Sequence, residues 1–197
     1  MSNNLNTEEE FYGEHYKHME SVKDNAIVLA NIAVSLAGST GARIISRIKS
    51  PESMIQKIKS DGFAVNHRSA LLLESDAIGI RIITSTLSDV YAIEDRIGFL
   101  VDKTSNARII KRKDFIKSPK ASGYRSLHII LEIKSDDPDF EKMKVEIQIR
   151  TAVMDCWASL EHIVKYKQVI NITPEIYETL HCYQEEAEKE ISNLKLA

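Results

Sequence analysis

The feature of this chain that most constrains its fold is a set of short segments in which apolar and polar residues alternate. Over residues 145–150 every second side chain is apolar, so Glu146, Gln148 and Arg150 share the opposite face of a predicted strand. Three further segments predict strands: 78–84, 107–111 and 127–133. Segments of helical spacing separate and flank these strands. The order predicts an α+β fold, a mixed β-sheet of about five strands flanked by helices.

Helical spacing extends over four segments, 8–37, 51–60, 88–102 and 152–167, and a last amphipathic helix is predicted over 174–195. Ser50 and Pro51 fit the N-cap and the first position of the second helix. The first helix carries a wide apolar run: Ile27, Val28, Leu29, Ala30, Ile32, Ala33, Val34 and Leu36. We therefore predict that helices 8–37 and 174–195 serve in oligomerisation, the alternative being that both pack on their own sheet.

Length and composition predict one domain, 1–197, because the chain is short for two. It has no run of about eighteen apolar residues that would predict a membrane span. The first ten residues lack the apolar stretch of a signal peptide, and Cys156 and Cys182 form no CxxC pair. These features predict a cytoplasmic protein. The net charge of −3 hides a basic belt over 103–125, which indicates an anionic ligand held locally.

Two acidic residues on separate strands are candidates for a metal site. Asp76 lies just before strand 78–84, and Glu146 lies on the polar face of strand 145–150. Mg²⁺ typically takes one or two carboxylates together with substrate phosphates, and these two could supply that pair. Glu146 could also take up a proton. The alternatives are a turn role for Asp76, with Arg81 as its salt-bridge partner, and an ordinary solvated polar face for the strand.

A glycine-containing loop, 117–123, delivers Tyr124 at the start of strand 127–133. An aromatic side chain beside such a loop can stack on a purine base, an interaction worth about 1–3 kcal/mol. Lys120 and Arg125 could contact the phosphates of the same nucleotide. The alternative is that Tyr124 is an aromatic at the edge of the core and His128 a hydrogen-bonded strand histidine.

A basic cluster surrounds the start of the second helix, and its members are Arg43, Arg47, Lys49, Ser53 and Lys57. A helix N-terminus favours anions, so this cluster would suit a nucleotide triphosphate. The alternative is a solvated basic patch.

Five motifs occur in order along the chain: RIKSPES at 47–53, DAIGIR at 76–81, PKASGYRSLH at 119–128, EIQIRT at 146–151 and WASLEH at 157–162. In this combination the sequence resembles RelA/SpoT-type alarmone synthetase domains over residues 40–168. The resemblance extends to the small, single-domain alarmone synthetases. Their long relatives add a hydrolase domain and regulatory domains, for which this chain has no room.

The resemblance implies a nucleotidyltransferase-like synthetase fold and a Mg²⁺-dependent reaction. Pyrophosphate from ATP is transferred to the ribose 3′-hydroxyl of GDP or GTP, giving ppGpp or pppGpp and AMP. Asp76 and Glu146 are then the catalytic and metal-binding residues, with Glu146 as second metal ligand or as base. The expected ATP-binding residues are Arg43, Arg47, Lys49, Ser53, Lys57 and Arg81. The expected GDP/GTP-binding residues are Lys120, Ser122, Tyr124, His128 and Gln148, with Ser122 where the family often has asparagine.

The resemblance also implies a homo-oligomer, a tetramer as in related small synthetases, some of which bind an alarmone regulator between subunits. Two other functions stay open. The first is a toxin-like relative that pyrophosphorylates adenine nucleotides or the tRNA 3′ end, for which the basic belt over 103–125 could hold RNA. The second is a non-catalytic nucleotide-binding module, which the presence of Asp76 and Glu146 disfavours.

Overall fold

The computed structural model describes residues 7–167 and the single positions Glu178, Cys182 and Lys189. Its helices are α1 (Thr7–Tyr12), α2 (Tyr16–Leu36), α3 (Pro51–Ser60), α4 (Leu87–Val101) and α5 (Ala152–Lys167). Its strands are β1 (Arg43–Ile48), β2 (Ile78–Thr84), β3 (Ala107–Asp114), β4 (Leu127–Lys134) and β5 (Lys142–Thr151). Apart from the three single positions, the predicted helix 174–195 lies outside the described residues.

The five strands form one mixed sheet in the order β1-β2-β5-β4-β3. Strands β2 and β5 are parallel, and the other three pairs are antiparallel. The prediction of a mixed five-stranded sheet flanked by helices is therefore confirmed. Both strands of the parallel pair are interior in the sheet, so each has a hydrogen-bonded neighbour on both sides.

Two predicted segments differ from the structure. Helix 8–37 is interrupted by a 3₁₀ turn, Gly13–His15, because Gly13 adopts a positive φ of 60° that a continuous α-helix does not allow. Strand β1 was not predicted, since its residues were assigned only to a basic segment before a helix. A π-helical turn, Ser69–Leu73, also precedes β2 without a clear sequence signal.

One face of the sheet forms the core. Helices α2 and α4 pack there and against each other, on isoleucines such as Ile80 and Ile147 that are almost wholly buried. The inner side of α2 is made of Met19, Val22, Ala26, Ala30 and Ala33. None of the described helices has both the length and the apolar composition needed to cross a membrane. Helices α2 and α4 cover the core face. The strand side chains that alternate with the core residues therefore lie on the opposite face of the sheet.

The N-terminal segment is attached to the rest of the fold by two polar contacts, one partly buried and one buried. The hydroxyl of Tyr12 donates to the backbone carbonyl of Lys49 at 2.9 Å. The imidazole Nδ1 of His15 lies 2.8 Å from Oδ2 of Asp137, in the turn between β4 and β5. The first contact fixes the backbone of Lys49 beside the start of α3, next to the face that carries the predicted site.

Candidate active site

The strand register aligns the predicted site residues in two rows across the exposed face of the sheet. One row consists of Arg47, Gly79, Glu146, Ile130 and Lys111. The next row consists of Ile45, Arg81, Gln148, His128 and Lys113. Residues paired across neighbouring strands point to the same side of a sheet. Residues predicted to bind ATP, such as Arg47 and Arg81, therefore lie on one continuous surface with residues predicted to bind GDP or GTP, such as His128.

An open cavity of about 170 Å³ lies over β1, β2 and β5. Five of the predicted residues line it: Arg47, Asp76, Arg81, Glu146 and Gln148. A Cβ atom added to Gly79 would lie 3.6 Å from Cγ of Arg47, so the arginine chain crosses the glycine at ordinary contact distance. Arg47 therefore occupies part of the space above Gly79. Arg43 is exposed at the far end of β1 and does not line the cavity.

Asp76 is held by two ammonium groups. The Nζ of Lys49 lies 2.6 Å from Oδ2 of Asp76, and the Nζ of Lys57 lies 2.7 Å from Oδ1. Lys57 also contacts Oε2 of Glu74 at 2.9 Å. Burial raises the pKa of Asp76, but the hydrogen bonds and charges of Lys49 and then Lys57 outweigh it and lower the pKa overall. The alternative pairing of Asp76 with Arg81 is wrong, because Arg81 contacts Asp155 at 3.3 Å.

Helix α3 places Lys57 and Ser53 beside this cluster. Pro51 occupies the first turn, as predicted, and Met54 and Ile58 turn inward and are fully buried. Ser50 takes the N-cap position, but its hydroxyl donates to the Oγ of Ser53 at 3.0 Å and does not cap a backbone N–H. The first turn of α3 therefore presents N–H groups that this side chain does not satisfy, an arrangement that favours an anion.

A second chain of contacts links the acceptor-side residues. The hydroxyl of Tyr124 lies 2.9 Å from Nε2 of His128, and Nδ1 of His128 lies 3.1 Å from Oε1 of Glu146. The amide of Gln148 donates to Oε2 of Glu146 at 2.8 Å. Arg150 donates to Oε1 of Gln148 and lies 5.6 Å from the centre of the Tyr124 ring. The contacts therefore form a ring that starts at Tyr124, passes through Glu146 and returns to the Tyr124 ring through Arg150.

The charge state of the network follows from these contacts. Burial raises the pKa of Glu146, but the hydrogen bond and charge of His128, and then the hydrogen bond of Gln148, outweigh it and lower the pKa. Burial raises the pKa of Tyr124, so its hydroxyl keeps its proton. A Glu146 carboxylate with one donor on each oxygen still has acceptor capacity for a metal or a substrate hydroxyl.

The predicted stacking ring is surrounded by cations and other rings. The Nζ of Lys120 lies 4.7 Å from the centre of the Tyr124 ring and 4.9 Å from that of Phe115. Gly123 adopts a φ of 76° and donates its N–H to the carbonyl of Lys120, which closes the loop before the strand. The hydroxyl of Ser122 is buried and has no hydrogen-bond partner among the described residues.

Two residues of the site, Asp155 and Glu74, were not predicted, and a third, Arg150, was predicted only as a side chain of the polar strand face that could bind phosphate. Arg150 lies on the site face by the same alternation that identified Glu146 and Gln148, so the strand pattern contained its signal. Asp155, in the first turn of α5, contacts Arg81 at 3.3 Å and Arg150 at 3.5 Å. Glu74 is buried beside Lys57. Neither acid has a sequence signal, because both contacts depend on how helices fold back over the sheet.

The residues present fit a magnesium ion. Asp76 and Glu146 line the same cavity, both have lowered pKa values, and the charge of Asp76 is one of those acting on Glu146. Two ionised oxygen ligands are what Mg²⁺ accepts from a protein when phosphates supply the rest.

Comparison with known proteins agrees with this geometry. The family model described as "Region found in RelA / SpoT proteins" matches residues 46–171. The chain is 42% identical over 123 residues to GTP pyrophosphokinase YwaC of Bacillus subtilis, covering 62% of this chain and 57% of that protein. It is 28% identical over 134 residues to GTP pyrophosphokinase YjbM of the same organism, covering 68% of this chain and 60% of YjbM. The chain thus spans less than two thirds of either relative.

Solved structures match over most of the chain. Small alarmone synthetase 2 from Bacillus subtilis superposes with a TM-score of 0.71 at 33% identity, covering 91% of both chains. A GTP pyrophosphokinase family protein from Streptococcus pneumoniae gives a TM-score of 0.72 at 25% identity, covering 99% of this chain and 93% of that one. The predicted resemblance is confirmed by the family model and by both structures. This chain belongs to the RelA/SpoT family.

Proposed function

We propose that this protein transfers pyrophosphate from ATP to the ribose 3′-hydroxyl of GDP or GTP, giving ppGpp or pppGpp and AMP. The observation that carries the proposal is the single sheet face that joins two ionised carboxylates, Asp76 and Glu146, to a cationic donor side and an aromatic acceptor side. Both YwaC and YjbM are named GTP pyrophosphokinases, which supports the same chemistry here.

The donor side is proposed to bind the phosphates and base of ATP through Arg43, Arg47, Lys49, Ser53, Lys57 and Arg81. Among the described residues, Arg47 has no carboxylate within ion-pair distance although it lines the cavity, so it is available to an anion. Cationic groups fixed around a transferring phosphoryl group stabilise the charge of the transition state. Mg²⁺, held by Asp76 and Glu146, would neutralise phosphate charge there.

The acceptor side is proposed to bind GDP or GTP through Lys120, Ser122, Tyr124, His128 and Gln148. The exposed Lys120 lies close to the Tyr124 ring, so a stacking guanine would displace its ammonium group towards the nucleotide phosphates. Ser122 has a buried hydroxyl with no partner in the part of the chain that the structure describes, which leaves it available to the guanine edge. The base would then lie next to the imidazole of His128.

Glu146 is proposed to accept the proton of the 3′-hydroxyl as that oxygen attacks the β-phosphorus of ATP. The new bond joins the 3′-oxygen to this phosphorus, and the bond from the phosphorus to the α–β bridging oxygen breaks. AMP leaves with the bridging oxygen. Gln148 and His128 hold the Glu146 carboxylate in place, which is the positioning on which general-base catalysis depends.

We also propose a homo-oligomer, a tetramer by the family resemblance. Helix α2 leaves three large apolar side chains exposed at a spacing of four residues: Val28 at 58%, Ile32 at 44% and Leu36 at 50%. This exposure shows that none of the described residues covers the stripe. Aliphatic stripes of this kind suit a second copy of the same helix. An alarmone regulator between subunits and a cytoplasmic location remain predictions.

One observation favours a second acceptor, RNA. Lys111 and Lys113 of β3 extend the two rows of the site face beyond His128 and Ile130, so the site merges with part of the basic belt. The acceptors are separated by supplying ATP labelled at the β-phosphate with GDP, GTP, ATP or tRNA in parallel. Label in a guanosine product is expected. Label in tRNA alone would replace the proposed acceptor while keeping the reaction.

A further inference from the structure

The two lysines on Asp76 differ in one respect, because Lys57 has a second carboxylate partner. Its Nζ lies 2.9 Å from Oε2 of Glu74 as well as 2.7 Å from Oδ1 of Asp76. The Glu74 side chain is only 4% exposed, and its Oε1 has no hydrogen-bond partner among the described residues. A buried carboxylate is costly unless it is paired, so Lys57 is the cation that stabilises Glu74.

The four groups neutralise one another before any ligand is present. Lys49 and Lys57 carry two positive charges, Glu74 and Asp76 carry two negative charges, and each oxygen of Asp76 already has an ammonium partner. A divalent cation on Asp76 would lie within a few ångströms of both ammonium groups, where repulsion in a partly buried site is strong. The charges of both lysines therefore oppose metal binding, which is favoured when they move away from Asp76.

If the two lysines leave Asp76, the structure offers them different partners. Lys49 has no second carboxylate partner among the described residues, so its available partner is a phosphate of the donor nucleotide. Lys57 could give up Asp76 and keep its contact with Glu74. The Lys57 side chain would then stay at the donor side without occupying the metal ligand.

We infer that Glu74 is a positioning residue: it retains Lys57 beside the donor phosphates and so releases Asp76 for the metal. The inference rests on the proposed function, in which Glu74 touches neither substrate. This arrangement makes the binding of metal and of donor nucleotide cooperative. When Lys49 leaves Asp76 to the metal, the donor phosphates become its new partner. Coupling between two ligands in proteins is typically fivefold or more in affinity.

The test measures binding of Mn²⁺ by electron paramagnetic resonance, with and without α,β-methylene ATP, whose methylene group replaces the bridging oxygen at the bond that breaks. We expect wild-type protein to bind Mn²⁺ roughly tenfold more tightly with the analogue than without it. Lys57→Met should strengthen Mn²⁺ binding without nucleotide, because one oxygen of Asp76 is freed. Glu74→Gln should weaken it, because Lys57 then pairs with Asp76 alone. Glu52→Gln removes an equal charge from the exposed side of α3 and should change nothing.

The double variant Lys57→Met/Glu74→Gln decides how Glu74 acts. If Glu74 acts through Lys57, the double variant binds Mn²⁺ as Lys57→Met does. An equal loss from Glu74→Gln in both backgrounds would mean that Glu74 acts on the metal directly, and would overturn the inference. In the double variant the remaining charges of this cluster, Lys49 and Asp76, still pair with each other, so it also serves if Glu74→Gln alone does not fold.

Other outcomes separate this inference from the proposed function. Wild-type affinity for Mn²⁺ in the folded Glu74→Gln variant would overturn the role of Glu74 alone. Failure of the wild-type protein to bind Mn²⁺ in either condition would overturn the metal site and the inference together. The expected Mn²⁺ pattern without any pyrophosphate transfer would contradict the proposed reaction and leave the role of Glu74 standing.

Discussion

His128 and Glu146 meet diagonally across β4 and β5, with Nδ1 of the imidazole 3.1 Å from Oε1 of the carboxylate. In the register His128 is opposite Gln148, and Glu146 is opposite Ile130. The other ring nitrogen, Nε2, lies 2.9 Å from the hydroxyl of Tyr124. One imidazole therefore connects the proposed stacking ring to the proposed proton acceptor.

This contact predicts that replacing His128 changes the pH dependence of kcat. Because His128 lowers the pKa of Glu146, His128→Phe should raise that pKa. A base is active only when ionised, so activity is lost as the pH falls through its pKa. The loss should begin at a higher pH in the variant than in the wild-type protein, as measured by the pH dependence of kcat. An equal loss of rate at every pH, without a shift of the acidic limb, would contradict the prediction.

Tyr124→Ala should weaken GDP binding by about the energy of one stacked base, 1–3 kcal/mol, or roughly tenfold to a hundredfold in affinity. Binding of α,β-methylene ATP should change little. Tyr124→Phe keeps the ring and removes the contact with His128, so it should retain most of the GDP affinity. Calorimetry with both nucleotides makes the comparison. Equal losses for the two nucleotides in Tyr124→Ala would assign the ring a structural role.

Arg47→Ala and Lys49→Ala should each raise the KM for ATP, because each removes a cation from the donor side. The effect should be smaller at high salt, since screening already weakens these interactions in the wild-type protein. The measurement is the KM for ATP at saturating GDP and at two ionic strengths. Lys59→Ala, on the exposed side of α3, is the control. An unchanged KM for ATP in both variants would exclude them from the donor site.

The alternating segments predicted four of the five strands because their apolar residues face a packed helix layer. Strand β1 gives no such signal. Its residues alternate between exposed and half-buried, none is fully buried, and the large apolar side chain of Ile45 is 47% exposed. An edge strand with basic residues on its open face looks the same in sequence as a basic loop, so only pairing with β2 identifies it.

The site could be predicted where its residues belong to local motifs. Asp76, Glu146 and Tyr124 follow from strand position and from the ordered motifs. The contacts of Lys57 with Glu74 and of Arg81 with Asp155 join residues far apart in sequence. They depend on the packing of α3 and α5, which no local pattern encodes. The pairing of Lys49 and Lys57 with a predicted metal ligand was missed for the same reason.

The exposed stripe on α2 predicts that Ile32→Glu dissociates the oligomer into a species of fewer subunits. The substitution puts a charge at the centre of the stripe, where burial against a second copy would require desolvating it. Light scattering after size exclusion should show an oligomer for the wild-type protein and a smaller species for the variant. Lys59→Glu, on the exposed surface of α3, should leave the mass unchanged. A monomeric wild-type protein at micromolar concentration would contradict the interface assigned to α2.

The most direct test of the account is a product analysis with ATP labelled at the β-phosphate and with GDP as acceptor. Transfer of pyrophosphate predicts that the label appears in a 3′-modified guanosine nucleotide, with one AMP formed for each product. Asp76→Asn and Glu146→Gln should abolish both products while keeping the wild-type circular-dichroism spectrum, because each removes a charge at nearly constant shape. Asp76→Asn should lower the melting temperature, because Lys49 and Lys57 lose a carboxylate partner. Label retained in ADP, or near-wild-type turnover by both variants in Mg²⁺, would contradict the proposed reaction and its site.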